Sequence, residues 1–118
     1  TLTFKEGMMK LEKVLSLLEG QIVTEYFDGN KDASAGFVGD LLSVVMGKAK
    51  EDCAWVTIQS HINIVAVASL VDCACIIVAE GYGVDEDAVT KANIEEIPII
   101  STKLSSYEAV SVLANNGL

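Results

Sequence analysis

Residues 36–81 read GFVGDLLSVVMGKAKEDCAWVTIQSHINIVAVASLVDCACIIVAEG and alternate apolar runs with short polar segments. The runs at 54–58 and 75–79 are typical of buried strands. Residues 40–50 carry apolar side chains at helical spacing, and residues 62–72 are apolar nearly all round, as in a buried helix. Strands that alternate with helices over short connections specify a largely parallel sheet with right-handed crossovers. The stretch therefore predicts an α/β fold in which helices flank the sheet.

The same signals extend the pattern toward both ends of the chain. We predict helices at 8–18, 85–94 and 105–115, strands at 21–26, 36–38 and 98–101, and a loop at 27–35. Ser105 and Glu108 match a capping box at the start of the last helix. Asp40 and Asn63 stand where side chains cap the starts of two other helices.

The length of 118 residues fits one domain whose core needs no disulfide bonds. Residues 1–8 suit the pattern poorly, and we expect an added or disordered leader before a domain at 9–118. No secretory signal is evident, and the apolar run at 64–71 is too short to cross a bilayer. The three cysteines lie in apolar runs, which favours free thiols and the cytoplasm.

Charge and hydropathy narrow the range of partners. The chain has 17 acidic and 8 basic residues, so its net charge is −9. Neutralising the phosphates of a nucleic acid needs clustered Lys and Arg, so this balance argues against nucleic acid and an anionic membrane surface as partners. The hydrophobic fraction of 51% and the mean hydropathy of +0.42 are high. They favour a sheet covered on both faces and apolar surface covered by a second subunit. We therefore expect a homodimer.

Polar residues follow the predicted strands at the points where ligands bind in open α/β sheets. A small polar ligand, such as a nucleotide or metabolite, would then be held at the carboxyl edge of the sheet. The candidate residues are Gln59, Ser60, His61 and Asn63 after one strand, Glu80 and Gly81 after the next, and Ser101 and Thr102 after the last.

Each of these residues also has a structural interpretation. Asn63 can cap its helix, and Gln59 can pair with the backbone. His61 is the only histidine, so it cannot form a His-based metal site. An alternative is that the protein is a small enzyme in which His61 acts as an acid or base. Cys73 and Cys75, spaced as C-x-C, do not match structural zinc. We predict no catalytic residue, no metal and no cofactor.

The segment Gly81-Tyr82-Gly83-Val84-Asp85-Glu86 begins like a dinucleotide fingerprint but lacks its third glycine. Acidic residues 85–87 would repel a pyrophosphate at the helix start, so the segment does not predict dinucleotide binding. These acids instead complement the positive end of the helix dipole.

Two segments carry a family resemblance: D-L-L-S-V-V-M at 40–46 and W-V-T-I-Q-S-H-I-N-I-V-A-V-A-S-L at 55–70. Over residues 9–118 the chain resembles the DRTGG domain, which is related in fold to the N-terminal domain of HPr kinase/phosphorylase. The motif that names the family is degenerate here, because Asp32-Ala33-Ser34-Ala35-Gly36 stands in its place. Ala33 and Ala35 replace its Arg and its first Gly, so an anion contact through that Arg would be lost. We expect Gly36 to keep its role as a residue that tolerates positive φ.

The resemblance implies a non-catalytic regulatory or dimerisation module that can sense a small ligand. Such domains also occur attached to pyrophosphatases with CBS domains, so a larger regulated enzyme is an expected partner. The kinase activity of the HPr enzyme belongs to a separate P-loop domain, and this chain contains no G-x-x-x-x-G-K-[ST] motif. A purely structural interaction subunit stays open as an alternative.

Overall fold

The computed structural model describes residues 7–118 as one α/β domain. Residues 1–6 of the predicted leader lie outside the described residues. In chain order the elements are β1 (Met9–Lys10), α1 (Leu11–Leu17), β2 (Gln21–Ile22), β3 (Asp32–Ala33), β4 (Ala35–Val38), α2 (Leu42–Lys48), β5 (Cys53–Thr57), α3 (Asn63–Val71), β6 (Cys75–Val78), α4 (Glu86–Glu95), β7 (Ile99–Ser101) and α5 (Ser106–Asn115). Among these helices, none is long and apolar enough to cross a bilayer.

The main sheet has the strand order β2-β7-β6-β5-β4. Strands β4 to β7 are parallel neighbours in chain order, with Trp55 of β5 opposite Phe37 of β4 and Ile76 of β6. Strand β2 pairs antiparallel with β7 at one edge, through Gln21 opposite Ser101. The predicted α/β fold with a largely parallel sheet is thus confirmed.

The strands supply two apolar layers because successive side chains point to opposite faces of a sheet. Trp55 and Ile76 face α2, α3 and α4, which we call the first face. Val56 and Ile77 face α1 and α5 on the second face. When successive parallel strands are added in one direction across a sheet, right-handed crossovers place all the connecting helices on the same face. This rule places α2, α3 and α4 together on the first face.

The short strands before residue 35 differ from the prediction. The predicted helix at 8–18 begins only at Leu11, and Met9–Lys10 forms β1. The predicted loop at 27–35 contains β3, which pairs antiparallel with β1 in a separate two-stranded sheet. The predicted strand at 21–26 is confined to Gln21–Ile22. Two-residue strands show no alternation of apolar and polar residues, so periodicity does not reveal them.

Two of the predicted helix caps are wrong. The N-cap of α2 is Leu41, and Asp40 instead accepts hydrogen bonds from the Thr57 hydroxyl and the Ile58 N–H, each at 2.8 Å. This carboxylate fastens the start of α2 to the end of β5. Asn63 is the first residue of α3 rather than its cap, and its side chain makes no capping bond.

The capping box at α5 is confirmed. The Ser105 side chain accepts from the Glu108 N–H at 3.0 Å, and the Glu108 carboxylate accepts from the Ser105 N–H at 2.9 Å. These bonds from Ser105 favour the ionised carboxylate and lower the pKa of Glu108.

The degenerate motif at 32–36 lies across β3 and β4. Asp32 forms a 4.0 Å ion pair with Lys10, and the Ser34 hydroxyl donates to the Glu51 carbonyl. Gly36 does not use this tolerance, because it is part of β4 and its φ is not positive. Among residues 7–118, a Cβ there would touch only the Leu118 side chain, at 4.0 Å. The backbone at this position therefore does not require glycine.

Candidate ligand crevice at the carboxyl edge of the sheet

A crevice opens between the carboxyl ends of β6 and β7. The segment after β6 leads to α4 on the first face, whereas the segment after β7 leads to α5 on the second face. The two connections therefore diverge and leave a gap above the sheet, which is where ligands bind in open α/β sheets. Strands β5 and β6 both lead to helices on the first face, so no such gap forms between them.

The crevice has a volume of about 500 Å³, within the usual range for small-molecule sites. The antiparallel edge strand β2 and the turn before it form its third wall. It is lined by Leu18, Glu19, Gln21 and Val23 from this wall, by Gly81, Tyr82, Gly83 and Val84 after β6, and by Ser101, Thr102, Lys103 and Leu104 after β7.

The lining combines one cation, one anion and an aromatic ring. Lys103 forms no ion pair within residues 7–118, and Glu19 stands on the opposite wall. Tyr82 is 54% exposed and is flanked by two glycines in the chain. The N–H groups of Gly83, Val84 and Lys103 donate no hydrogen bond to any described residue. The crevice therefore offers several donors and a stacking surface to a ligand.

Three of the predicted site residues, Gly81, Ser101 and Thr102, lie together in this lining. Gly81 has a φ of 72°, and its N–H donates to the Thr102 carbonyl at 3.0 Å. The Thr102 hydroxyl is buried and already bonded, because it donates to the Leu18 carbonyl at 2.8 Å and accepts from the Leu104 N–H. Thr102 thus holds the walls of the crevice in place.

Glu80 precedes the crevice but does not line it. Its carboxylate accepts a hydrogen bond from the Ser106 N–H at 2.9 Å, in the first turn of α5. Its backbone adopts a φ of 66°, a left-handed conformation that turns the chain sharply at the end of β6. The charge of Glu80 is placed at the positive end of the α5 dipole.

The predicted residues after β5 lie apart from the crevice. Gln59 donates from its side chain to the Asp40 carbonyl at 3.0 Å, so the predicted backbone pairing is confirmed. The Ser60 carbonyl accepts from the Asp85 N–H at 3.0 Å. His61 is exposed, and its Nδ1 accepts from the N–H of Asn63, which is also exposed. These bonds organise the turn between β5 and α3.

Several lining residues were not predicted from the sequence. Lys103 directly follows Ser101 and Thr102, so extending the predicted polar segment by one residue would have included it. Tyr82 lies between glycines in a segment that we assessed only as a dinucleotide fingerprint. Glu19 and Gln21 carry no such signal, because they reach the crevice only through the antiparallel pairing of β2 with β7.

The three cysteines lie in the two apolar layers that cover the sheet. All three are free and buried, as predicted. Within residues 7–118, no group of three or more His, Cys, Asp or Glu side chains is placed to hold a metal ion.

Comparison with known proteins shows the family. A comparison with curated proteins gave no match. Among solved structures, the fold is similar to the CBS and DRTGG domains of the regulatory region of Clostridium perfringens pyrophosphatase, complexed with its activator, diadenosine tetraphosphate. The TM-score is 0.75 at 16% identity, and the match covers 88% of this chain but only 45% of that chain. The DRTGG domain model matches residues 13–115. The chain therefore belongs to the DRTGG domain family.

Proposed function

We propose that this chain is a non-catalytic regulatory module that senses a small polar ligand, a nucleotide or a nucleotide-like metabolite. The observation that carries the proposal is the crevice between β6 and β7, with Lys103, Tyr82 and unbonded backbone N–H groups in its lining. These groups come from two connections that diverge to opposite faces of the sheet, so their placement is a property of the topology.

The chemistry of the lining fits a ligand with an anionic end and a flat ring. Lys103 and the N–H groups of Gly83 and Val84 are suited to a phosphate or carboxylate. The Tyr82 ring is suited to stacking against a base. Glu19 would accept from a hydroxyl or amino group. The acidic residues 85–87, which argued against a dinucleotide fingerprint, do not line the crevice.

The family and fold agree with this proposal. The regulatory region from Clostridium perfringens, which has a similar fold, is complexed with a dinucleotide activator. A nucleotide is therefore the first ligand class to test on this chain. By the same likeness we propose that the domain acts on a larger regulated enzyme. The free thiols are consistent with the cytoplasm.

Nucleotide binding is tested by thermal shift and calorimetry against adenosine mono-, di- and triphosphates and diadenosine polyphosphates. A ligand at 100 times its dissociation constant should stabilise the protein by about 2.7 kcal/mol. Lys103→Ala and Tyr82→Ala should each weaken binding by about tenfold, because each removes a contact worth roughly 1–2 kcal/mol. Lys50→Ala is the matched control, since Lys50 is exposed and lies outside the crevice.

Equal binding by the Lys103→Ala and Lys50→Ala variants would contradict the assignment of the crevice. If no compound shifts the melting temperature, the structural interaction subunit becomes the better interpretation. Turnover of any compound in the same panel, lost in His61→Ala, would support the small enzyme instead. The existing bond of His61 to the Asn63 N–H favours a role in the turn.

We also propose that two copies of the chain associate through the β4 edge of the sheet and the adjoining helix α2. Strand β4 is the last strand on its side, so its outer edge has no strand partner among residues 7–118. Next to it, Val38 is 50% and Leu41 is 65% exposed, and Val44 and Met46 are also exposed. In a dimer with two-fold symmetry, this surface would pack against the same surface of the second copy, and the open edge of β4 would be covered.

Sedimentation at micromolar concentration tests this dimer. The wild-type chain should sediment as a dimer, and Leu41→Asp should sediment as a monomer, because a buried unpaired carboxylate opposes association. Leu70→Asp is the matched control, since Leu70 is 70% exposed on α3, outside this surface. A wild-type monomer, or a dimer that only Leu70→Asp disrupts, would show that the assignment of this surface is wrong.

A further inference from the structure

Two of the three cysteines form a close pair at the end of the sheet opposite the crevice. The Sγ atoms of Cys53 and Cys73 lie 3.4 Å apart. Cys53 begins β5, and Cys73 lies between α3 and β6. Both belong to the apolar layer on the first face, whereas Cys75 belongs to the layer on the second face. The sheet therefore separates Cys75 from the pair.

Backbone hydrogen bonds hold the two cysteines side by side. The Asp52 N–H donates to the Asp72 carbonyl at 2.7 Å, and the Ala74 N–H donates to the Cys53 carbonyl at 2.8 Å. Asp52 and Asp72 have φ values of 61° and 62°, so the chain turns in the same way before each cysteine. The sulfur atoms are thus positioned by bonds on both sides of the pair.

The hydrogen bond between the two sulfurs distinguishes their reactivity. It lowers the pKa of Cys53, and together with burial it raises the pKa of Cys73. Burial raises the pKa of Cys75 to about 12. Because the thiolate is the nucleophile in sulfur chemistry, the lowered pKa favours Cys53 over Cys73 as the thiol that reacts first.

We propose that Cys53 and Cys73 are a redox-active pair that a peroxide converts to a reversible intrachain disulfide. Closing the bond requires the sulfurs to approach from 3.4 Å to about 2.05 Å. Cys53 is fully buried, and the pair reaches the surface only at Cys73, which is 7% exposed beside the exposed Asp72. A small oxidant is therefore the class that fits.

The reaction proceeds in two steps. The Cys53 thiolate attacks one oxygen of the peroxide, the O–O bond breaks, and the departing hydroxide takes a proton from solvent to become water. The Cys73 sulfur then attacks the sulfenic sulfur of Cys53, so that an S–S bond forms and the S–O bond breaks. The hydroxide released takes the Cys73 proton and leaves as the second water. The two thiols are oxidised by two electrons, and the peroxide is reduced.

The disulfide would join the start of β5 to the segment that follows α3, and so close β5 and α3 into a covalent loop. Such a link constrains the unfolded chain, and the oxidised protein should melt at a higher temperature than the reduced protein. A thiol reductant would reverse both the bond and the shift.

The test uses the full chain treated with hydrogen peroxide and then unfolded in the presence of a thiol label. The labelled thiols should fall from three to one, with a mass loss of about 2 Da that dithiothreitol reverses. Peptide mapping should join Cys53 to Cys73. The Cys75→Ala variant is the matched control, and it should still lose both of its remaining thiols to the disulfide.

Cys73→Ala should show no mass loss of this kind and should give a sulfenic acid that a dimedone-type reagent traps on Cys53. Three labelled thiols after peroxide treatment of the folded wild-type chain would overturn the proposal. A disulfide that involves Cys75 would overturn it as well, since the sheet separates that thiol from the other two. Both outcomes are read on the wild-type protein, so they do not depend on whether a variant folds.

Discussion

Trp55→Ala should lower the free energy of unfolding by about 3–5 kcal/mol, as is typical when a buried aromatic side chain is removed from a core. Trp55 is fully buried in the centre of β5, opposite Phe37 and Ile76 of the two neighbouring strands. Its ring fills the space between the sheet and the helices of the first face. Ile76 belongs to β6, which is paired with strands on both sides, so it cannot move far enough to fill the cavity.

The Trp55→Phe variant separates packing from hydrogen bonding. The indole Nε1 donates to the Gly39 carbonyl at 2.9 Å, next to the start of α2. Phenylalanine keeps most of the apolar volume but loses this donor, so a smaller loss of about 1–2 kcal/mol is expected.

Unfolding of these variants is followed by circular dichroism in urea, because Trp55 is the only tryptophan and its fluorescence disappears in both. Equal losses for the two variants would show that the hydrogen bond, rather than the volume, dominates. A loss below about 1 kcal/mol for Trp55→Ala would show that the core collapses onto the empty site.

Gly20→Ala should destabilise the protein by about 1–3 kcal/mol, because there is no room for a methyl group. A Cβ on Gly20 would lie 2.7 Å from Cγ2 of Ile100 and 2.9 Å from the carbonyl oxygen of Ser101. The second atom belongs to the backbone of β7, which is paired with β2 through Gln21. The sheet edge would have to shift, and with it the wall of the crevice.

Gly47→Ala is the matched control for this substitution. Gly47 lies inside α2, and no atom of residues 7–118 lies within 4 Å of a Cβ added there. Alanine is favoured over glycine in a helix by roughly 0.5–1 kcal/mol, so this variant should be more stable than the wild-type chain. The two variants make the same chemical change, but the expected changes in the free energy of unfolding have opposite signs. Urea unfolding followed by Trp55 fluorescence measures both. If Gly20→Ala were as stable as the wild-type chain, the close contact between residue 20 and β7 would be contradicted.

Much of the fold could be predicted from periodicity because its main elements are strongly patterned. The strand at 75–79 and the buried helix at 62–72 were placed within one residue of β6 and α3. Ser105 and Glu108 marked the start of α5 correctly because a capping box is a local interaction. The small sheet of β1 and β3 was missed because two-residue strands carry no pattern and are stabilised only by each other.

The candidate site was harder to predict because it depends on the faces that the helices occupy. The sequence indicated that polar residues follow β5, β6 and β7, but it could not indicate that α5 returns on the opposite face from α4. Gln59 and His61 therefore looked equivalent to Ser101 as site candidates. In the structure their bonds to Asp40 and Asn63 organise a turn, and Ser101 lies in the crevice.

The sequence by itself determined the α/β class, the capping of α5 and the family, since these follow from local patterns and from motifs within short segments. The tertiary structure alone decided that a crevice opens between β6 and β7, that Lys103 and Tyr82 line it, and that Cys53 meets Cys73 across 20 residues of chain. The physical reason is the same in each case. A right-handed crossover and the pairing of strand edges bring distant residues together, and neither is encoded in the residues that meet.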